Sequence, residues 1–331
     1  MRIRPPATPE QRRELRTALA RFQQPEAALG AVQAFLPPGF EPATVACHIQ
    51  SVHPDRFVVQ VLARSTAGGE RNCALKIYSD DFGEQMWSLA QTLAERQPSN
   101  HNGLCLPQRY VREQRALVFP WVDGIRLSDI VDLRKPDLLR RAAAIAADFH
   151  RMPLADVPTL TPEMVVAETL DRCRRLLSRW PSLATTVREL MGLLQETVTR
   201  LEPARPSMIH GDMAAGQFVW TGERLVLLDM DTAGLSDPAY DIGHFLGQLE
   251  RRCTLDANLP AHSKRWLSCF REAYPAASLG VSWRNVSFYQ GITLVRKMYT
   301  LSRRDPIGGP CLALRLAERA RAAFEAAASG G

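Results

Sequence analysis

The chain has 331 residues, 46% of them hydrophobic and 23% charged, with a formal net charge of +6. That is enough apolar material for one large core or two moderate ones, and no low-complexity tract interrupts it except the Ala-rich end from Ala326 to Gly331, which is expected to fray. No run approaches the roughly 18 apolar residues of a membrane span, and the N-terminus MRIRPPATPEQRREL has no apolar core of signal-peptide length. The arginines are scattered through amphipathic helices and form no basic stripe interleaved with aromatics. The expectation is a cytoplasmic protein whose partners are neither membrane nor nucleic acid.

In chain order, residues 9–36 have helix-favouring composition and end at Pro37-Pro38-Gly39, so they read as helices on the outside of a first lobe. The period then changes. Val45, Cys47 and Ile49 alternate, and Phe57 to Leu62 and Cys73 to Tyr78 follow, giving three strands of an antiparallel meander with turns at His53-Pro54-Asp55 and Ala67-Gly68-Gly69. Residues 80–97 show helical spacing of Phe82, Met86, Leu89 and Leu93, closed by a Pro/Asn/Gly loop over 98–103. Two short strands are expected around 108–111 and 116–119. Pro120 to Gly124 then breaks the pattern and reads as a hinge, dividing an N-lobe of residues 1–121 from a C-lobe of residues 122–331.

Beyond the hinge the chain reads as mostly helical, over roughly 127–133, 136–151, 162–179, 183–201, 239–256, 261–273, 282–303 and 310–327. The segment 206–232 is the exception, alternating loop and short strand. No repeat of 20 to 50 residues is present. The seven cysteines are odd in number, widely spaced and free of CxxC or finger spacing, so they read as reduced thiols in core positions, not metal ligands or disulfides.

Within the exceptional segment lie His210-Gly211-Asp212-Met213-Ala214-Ala215-Gly216-Gln217 and then Leu227-Leu228-Asp229-Met230-Asp231. An Asp in a short loop can take a proton from a hydroxyl, an amide oxygen five residues on can reach a divalent metal, and a second Asp on the next strand can hold that metal against nucleotide phosphates. The loop MIHGDMAAGQFVW, the segment LVLLDMDTAG and DPAYDIG follow in order.

With a strand-rich first lobe carrying one strand lysine, this order resembles the aminoglycoside phosphotransferase and choline kinase-like family over roughly residues 44–300. The resemblance implies an α+β, bilobal protein-kinase-like fold, with a small antiparallel-sheet N-lobe and a larger, mostly helical C-lobe. It implies Asp212 as catalytic base, Asp229 as principal metal ligand with Asp231 assisting from the same side of an extended segment, and Gln217 as the amide ligand where Asn is commoner. The longer Gln side chain moves that oxygen by about 1.5 Å. His210 reads as a structural hydrogen-bonding residue, and Asp241 as the buried acid that receives backbone N–H groups of the catalytic loop.

In the first lobe the resemblance makes Lys76 the clamp on the α- and β-phosphates, partnered by Glu84 in preference to Glu95 on the following helix. Without it, Lys76 reads as an edge-strand lysine that deters aggregation. Phe119 would lie behind the adenine, with the Pro120 carbonyl and the Val122 N–H on its edge; otherwise this is a Pro-Trp turn with no ligand. The turn from Ser51 to Arg56 would cover the phosphates, with Ser51 or Arg56 in place of the absent glycines. No GxxxxGK[ST] motif is present, so a P-loop site is excluded.

The function implied is an ATP- and Mg²⁺-dependent O-phosphotransferase acting on a hydroxyl of a sugar, nucleoside or natural product. From residue 242 onward there are 13 Lys/Arg against 6 Asp/Glu, a field that favours a neutral or anionic acceptor over a polycation. A nucleotide-binding pseudokinase or interaction module without turnover is the alternative. A protein kinase is disfavoured because no activation segment separates Asp229 from Asp237.

Overall fold

The computed structural model describes residues 7–96, 103–152, 156–305 and 309–329, which form two compact units divided between Gly124 and Ile125. The first contains α1 (Pro9–Gln23), α2 (Pro25–Gln33), β1 (Pro42–Val52), β2 (Arg56–Ser65), β3 (Glu70–Tyr78), α3 (Phe82–Arg96), β4 (Arg109–Val111) and β5 (Ala116–Pro120). The helices expected at 9–36 are two, because Pro25 opens a new helix and holds Gln24 extended (ψ 118°). Thr8 caps α1 in a reciprocal box with Gln11. Most of the loop expected to close α3 lies outside the described residues.

The five strands form one antiparallel sheet in the order β1-β2-β3-β5-β4. Strict alternation along β2 buries Phe57, Val59, Val61 and Ala63 against Leu15 and Phe22 of α1 and against Val32, Phe35 and Leu36. The other face carries Tyr78 and Leu117 against Phe82 and Met86 of α3. A one-residue bulge in β1 shifts the register from Ile49↔Val59 to Ser51↔Val58. Because side chains alternate, that single insertion moves Ser51 from the helix-covered core face to the opposite one.

The second unit contains β6 (Ile125–Arg126), α4 (Lys135–His150), α5 (Pro162–Arg179), α6 (Ala184–Val198), β7 (Ser207–Ile209), β8 (Phe218–Trp220), β9 (Leu225–Leu227), β10 (Gly234–Ser236), α7 (Ala239–Leu255), α8 (Ser263–Ala273), α9 (Trp283–Arg304) and α10 (Gly309–Ser329). The helix expected at 127–133 does not form. Leu127 and Ser128 donate their N–H groups to the carbonyls of Phe218 and Ala215, and Asp132 accepts from Arg134 N–H, so these donors are spent outside a helical ladder. The Ala-rich end expected to fray is helical to Ser329, buried through Ala327. No described helix is long and apolar enough to cross a membrane. The cysteines are all free thiols, but only Cys105, Cys173, Cys253 and Cys269 are buried; Cys47 and Cys73 are half-buried and Cys311 is exposed.

The long helix α9 is the spine of this unit, packed by α5, α6, α7 and α10. Arg296, buried within it, donates to Thr169 Oγ1 (2.9 Å), the Val165 carbonyl (3.1 Å), Glu168 (2.7 Å) and Tyr240 Oη (3.2 Å), tying α5 and α7 to the spine. The helices α7 and α9 meet through glycines. A Cβ on Gly243 would lie 2.6 Å from both Tyr289 Cβ and the Val286 carbonyl, and one on Gly247 would lie 2.9 Å from Thr293 Cβ.

Gly243→Ala is therefore expected to lower stability by about 1–3 kcal/mol, since the opposing backbone has no room to yield. Gly192→Ala, in α6 where nothing lies within 4 Å, is expected to raise it by about 0.5–1 kcal/mol. Urea unfolding of both variants checks the opposite signs.

Candidate active site

The loop after β7 is shaped by one carboxylate. Asp241, fully buried in the first turn of α7, accepts the backbone N–H of His210 at 2.6 Å on one oxygen and that of Gly211 at 2.8 Å on the other. His150 Nε2 meets the first oxygen at 3.1 Å, and its Nδ1 meets Tyr274 Oη at 2.7 Å. Burial opposes the charge on Asp241, but the His150 hydrogen bond and the loop N–H groups overcome it and hold the carboxyl below its ordinary range. The role assigned to Asp241 from the sequence is the one these hydrogen bonds describe.

Gly211 has φ +78°, and a Cβ there would sit 2.1 Å from the Thr232 carbonyl, so the turn requires glycine. His210 Nε2 bonds the Leu228 carbonyl (2.9 Å), its Nδ1 receives the Asp212 N–H (3.3 Å), and Thr232 Oγ1 donates to the His210 carbonyl (2.8 Å). With both ring nitrogens engaged by backbone, His210 is a cross-brace between the loop and the 228–232 segment.

The same braces bring most of the acidic constellation together. Gln217 lies in the 3₁₀ turn 215–217, and its carbonyl accepts from Leu228 N–H at 2.8 Å, across the β8–β9 hairpin and one residue from Asp229. Its amide nitrogen reaches Asp212 Oδ2 at 3.4 Å, which turns the amide oxygen away from that carboxylate. Asp229 was expected on an extended strand with Asp231 on the same side. Instead β9 ends at Leu227, and Asp229 has φ +66°, the left-handed region that Asp tolerates better than most residues. The alternation argument for Asp231 fails with the strand; Asp231 starts a turn, its N–H 3.5 Å from Asp229 Oδ1. A left-handed backbone costs on the order of 1–3 kcal/mol and is held where surrounding structure over-determines it.

Asp212 keeps 49% of its side chain accessible. Surrounding protein raises the cost of its charge, but the hydrogen bond from His244, with the positive fields of His244, Lys297 and His210, brings its pKa down to about 2. His244 was missed in the sequence reading. It lies one helical turn after Asp241 on α7, so the pair at i and i+3 grips the Asp212 loop from one helix face: Asp241 takes the backbone and His244 Nε2 meets Asp212 Oδ1 at 3.1 Å. The other ring nitrogen meets Thr293 Oγ1 of α9 at 3.1 Å. That spacing was available as a signal in Asp241-Ile242-Gly243-His244.

Among the described residues no three acidic, histidine or cysteine side chains form a ready-made metal cage. The Gln217 amide oxygen and the Asp229 carboxylate, with Asp231 close by, are hard oxygen donors of the kind that suit Mg²⁺. That ion takes one or two carboxylates and leaves its other positions to phosphate and water.

In the first unit, cross-strand pairing places Ser51, Val58, Lys76 and Leu117 in a row on one sheet face, with Phe119 on the same face opposite Ala74. Lys76 is buried, 6% exposed, with its ammonium 5.8 Å from the Tyr78 ring centroid. Glu84, expected as its acid, has both carboxylate oxygens on Arg112, because the first turn of α3 presents it outward to the turn after β4. Pro120 ends β5 opposite Cys73, and Trp121 N–H donates to the Asn72 carbonyl at 3.3 Å, with Val122 following the strand. Arg56, in the covering turn, pairs with Asp55 at 3.2 Å.

The solved structures that share this fold are distant in sequence. The amicoumacin kinase hAmiN, solved with AMP-PNP, Ca²⁺ and Ami, aligns with TM-score 0.62 and 13% identity over 94% of this chain and 96% of its own. A choline/ethanolamine kinase family protein from Mesorhizobium loti aligns at 0.58 and 16%, over 93% and 95%. The macrolide 2'-phosphotransferase MphH from Brachybacterium faecium aligns at 0.53 and 15%, over 88% and 98%. No curated protein matches the chain by sequence. Residues 34–277 match the phosphotransferase enzyme family, and the chain belongs to that family, with its protein-kinase-like fold of a small antiparallel-sheet unit and a larger helical unit.

Proposed function

We propose that this phosphotransferase moves the γ-phosphoryl group of ATP, with Mg²⁺, to a hydroxyl of a small molecule such as a sugar, nucleoside or natural product, and acts in the cytoplasm. The observation that carries the reading is an ionised, half-accessible Asp212 on a loop pinned by Asp241, with Gln217 3.4 Å away and Asp229 next across the hairpin. Asp212 orients the acceptor hydroxyl and takes its proton as the acceptor O–P bond forms and the bond from Pγ to the ADP oxygen breaks. Bound Mg²⁺ would neutralise the charge on the transferring group. Gln217 and Asp229 would supply its protein oxygens, with Asp231 supporting the turn beside them.

Lys76, Ser51, Phe119, Pro120 and Val122 form the nucleotide-holding set of the first unit, without Glu84, whose charge is taken by Arg112. A buried lysine on a sheet face shared with Ser51 and Phe119 supports a phosphate clamp over an edge-strand lysine, since β3 is central in the sheet.

Asp212→Ala is expected to lower kcat by roughly 10²–10⁴ while nucleotide affinity stays within about twofold, as read by ADP release and isothermal titration. An unchanged rate removes Asp212 from the base role, and metal-dependent nucleotide binding without turnover on any hydroxyl compound supports a binding module instead. Asp229→Asn retains a residue that accepts the left-handed backbone but removes the charge. It should weaken Mg·ATP binding by on the order of tenfold or more, as chelation of Mg²⁺ should in the wild type; normal affinity in the variant sinks the metal assignment.

His244 has a positioning role with a pH signature. Its hydrogen bond favours ionised Asp212, so His244→Gln should raise the Asp212 pKa from about 2 and move the acid limb of kcat to higher pH. A loss of about tenfold in kcat accompanies it, from the ~1.5 kcal/mol of a charge-assisted hydrogen bond. An acid limb that stays in place counts against the role.

A further inference from the structure

Beyond His244 the two helices that frame Asp212 carry cations on their facing sides. On α7, His244, Gln248 and Arg251 recur at i, i+4 and i+7, and on α9, Thr293, Lys297 and Arg304 recur at i, i+4 and i+11, so each set lies along one helix face. The helices run alongside in the same sense, Gly243 meeting Val286 and Tyr289 and Gly247 meeting Gln290 and Thr293. One turn further on, Arg251 stands level with Lys297. Seven residues of α7 separate Arg251 from His244, about 10 Å of helix axis.

The charges there are unbalanced. The Lys297 ammonium feels Asp212 as an opposite charge, and the guanidinium groups of Arg251, Arg172 and Arg304 as like charges. Among the described residues neither Lys297 nor Arg251 makes an ion pair, and Arg251 Nε is buried with no hydrogen-bond partner. Arg172 is already committed to Glu168, which also holds Arg296. Burial, with the neighbouring arginines, lowers the Lys297 pKa to about 8 against the opposing pull of Asp212, and burial lowers that of Arg251. Two half-buried cations without an ion-pair partner carry a desolvation cost that the protein's own charges do not offset. Their geometry suits an oxyanion: a guanidinium fork and an ammonium on adjacent helices, the ammonium near enough to Asp212 for each to feel the other's charge.

We infer that the acceptor of this phosphotransferase carries an oxyanion, a phosphate ester or a carboxylate, which seats between Lys297 and Arg251 while its hydroxyl meets Asp212. The inference rests on the phosphotransferase reading above and narrows its substrate class to anionic hydroxyl compounds.

Two measurements on the full chain test it separately from that reading. In the first, which needs no turnover, the nucleotide site is saturated with Mg·AMP-PNP and the melting temperature is followed with added inorganic phosphate. Phosphate should stabilise the wild type and K297R, and should do so far less in the K297Q/R251Q double variant. No stabilisation, or equal stabilisation in wild type and double variant, overturns the site. In the second, hexose, pentose, polyol and nucleoside scaffolds are each offered in neutral, amine, carboxylate and phosphate form with Mg·ATP, and ADP release is recorded. The best acceptor should be a carboxylate or phosphate form, which also distinguishes the two oxyanions, and the double variant should raise its KM about tenfold or more, with K297R restoring most of the loss. A neutral or amine form as best acceptor overturns the inference and leaves the phosphotransferase reading standing. Phosphate stabilisation without ADP release on any scaffold removes the phosphotransferase reading, and the anionic-acceptor inference with it.

Discussion

The arrangement of the loop that carries Asp212 depends on a single buried carboxylate. Asp241 has no access to water and satisfies two successive backbone N–H groups, those of His210 and Gly211, which a tight turn would otherwise leave orphaned. A buried charge of this kind is tolerable only when fully compensated, and the third contact, from His150 backed by Tyr274, completes the compensation. Because Asp241 belongs to the first turn of α7, the loop inherits the position of that helix. The position of α7 in turn follows from its close contact with α9 through Gly243 and Gly247.

This chain of dependence links packing to chemistry. The glycines let α7 and α9 approach closely enough for His244 to bridge Thr293 and Asp212. Asp212 is thereby fixed at one oxygen and kept ionised, its other oxygen lies near the Gln217 amide, and the side chain remains half-accessible. A base needs both properties: orientation from the protein and access for the hydroxyl. Farther along the same pair of helices the close approach brings Arg251 and Lys297 level with each other. One packing contact thus sets the orientation of the acid and the electrostatic character of the surface beside it.

The departures from regular structure fall around this loop. The segment 127–133 gives up its helix because its N–H groups complete the edge of the β8 hairpin, which carries Gln217. Asp229 leaves the strand for a left-handed turn, and Gly211 takes a positive φ against the Thr232 carbonyl. Local propensity loses at these points to the demand that three segments meet within hydrogen-bonding distance.

The antiparallel meander, most of the helices and the acidic loop were legible in the sequence, because they rest on periodicity and on short-range spacing within one segment; the bracing role of Asp241 was implied only by the family resemblance. Glu84, expected as the partner of Lys76, pairs with Arg112 from another segment, and the sequence carried no sign of this, since position along a helix says how far an acid lies from a strand but not which way the first turn faces. His244 could have been found from its i+3 spacing to Asp241, but its target is set only by where α7 meets the loop. The bulge that turns Ser51 to the Lys76 face, the left-handed Asp229 and the close approach of α7 to α9 depend on the register between elements far apart in the chain. Composition and spacing determined the kind of fold and the chemistry-bearing loop. Tertiary packing decided which charges face one another, because that depends on side-chain direction and on how closely two backbones approach.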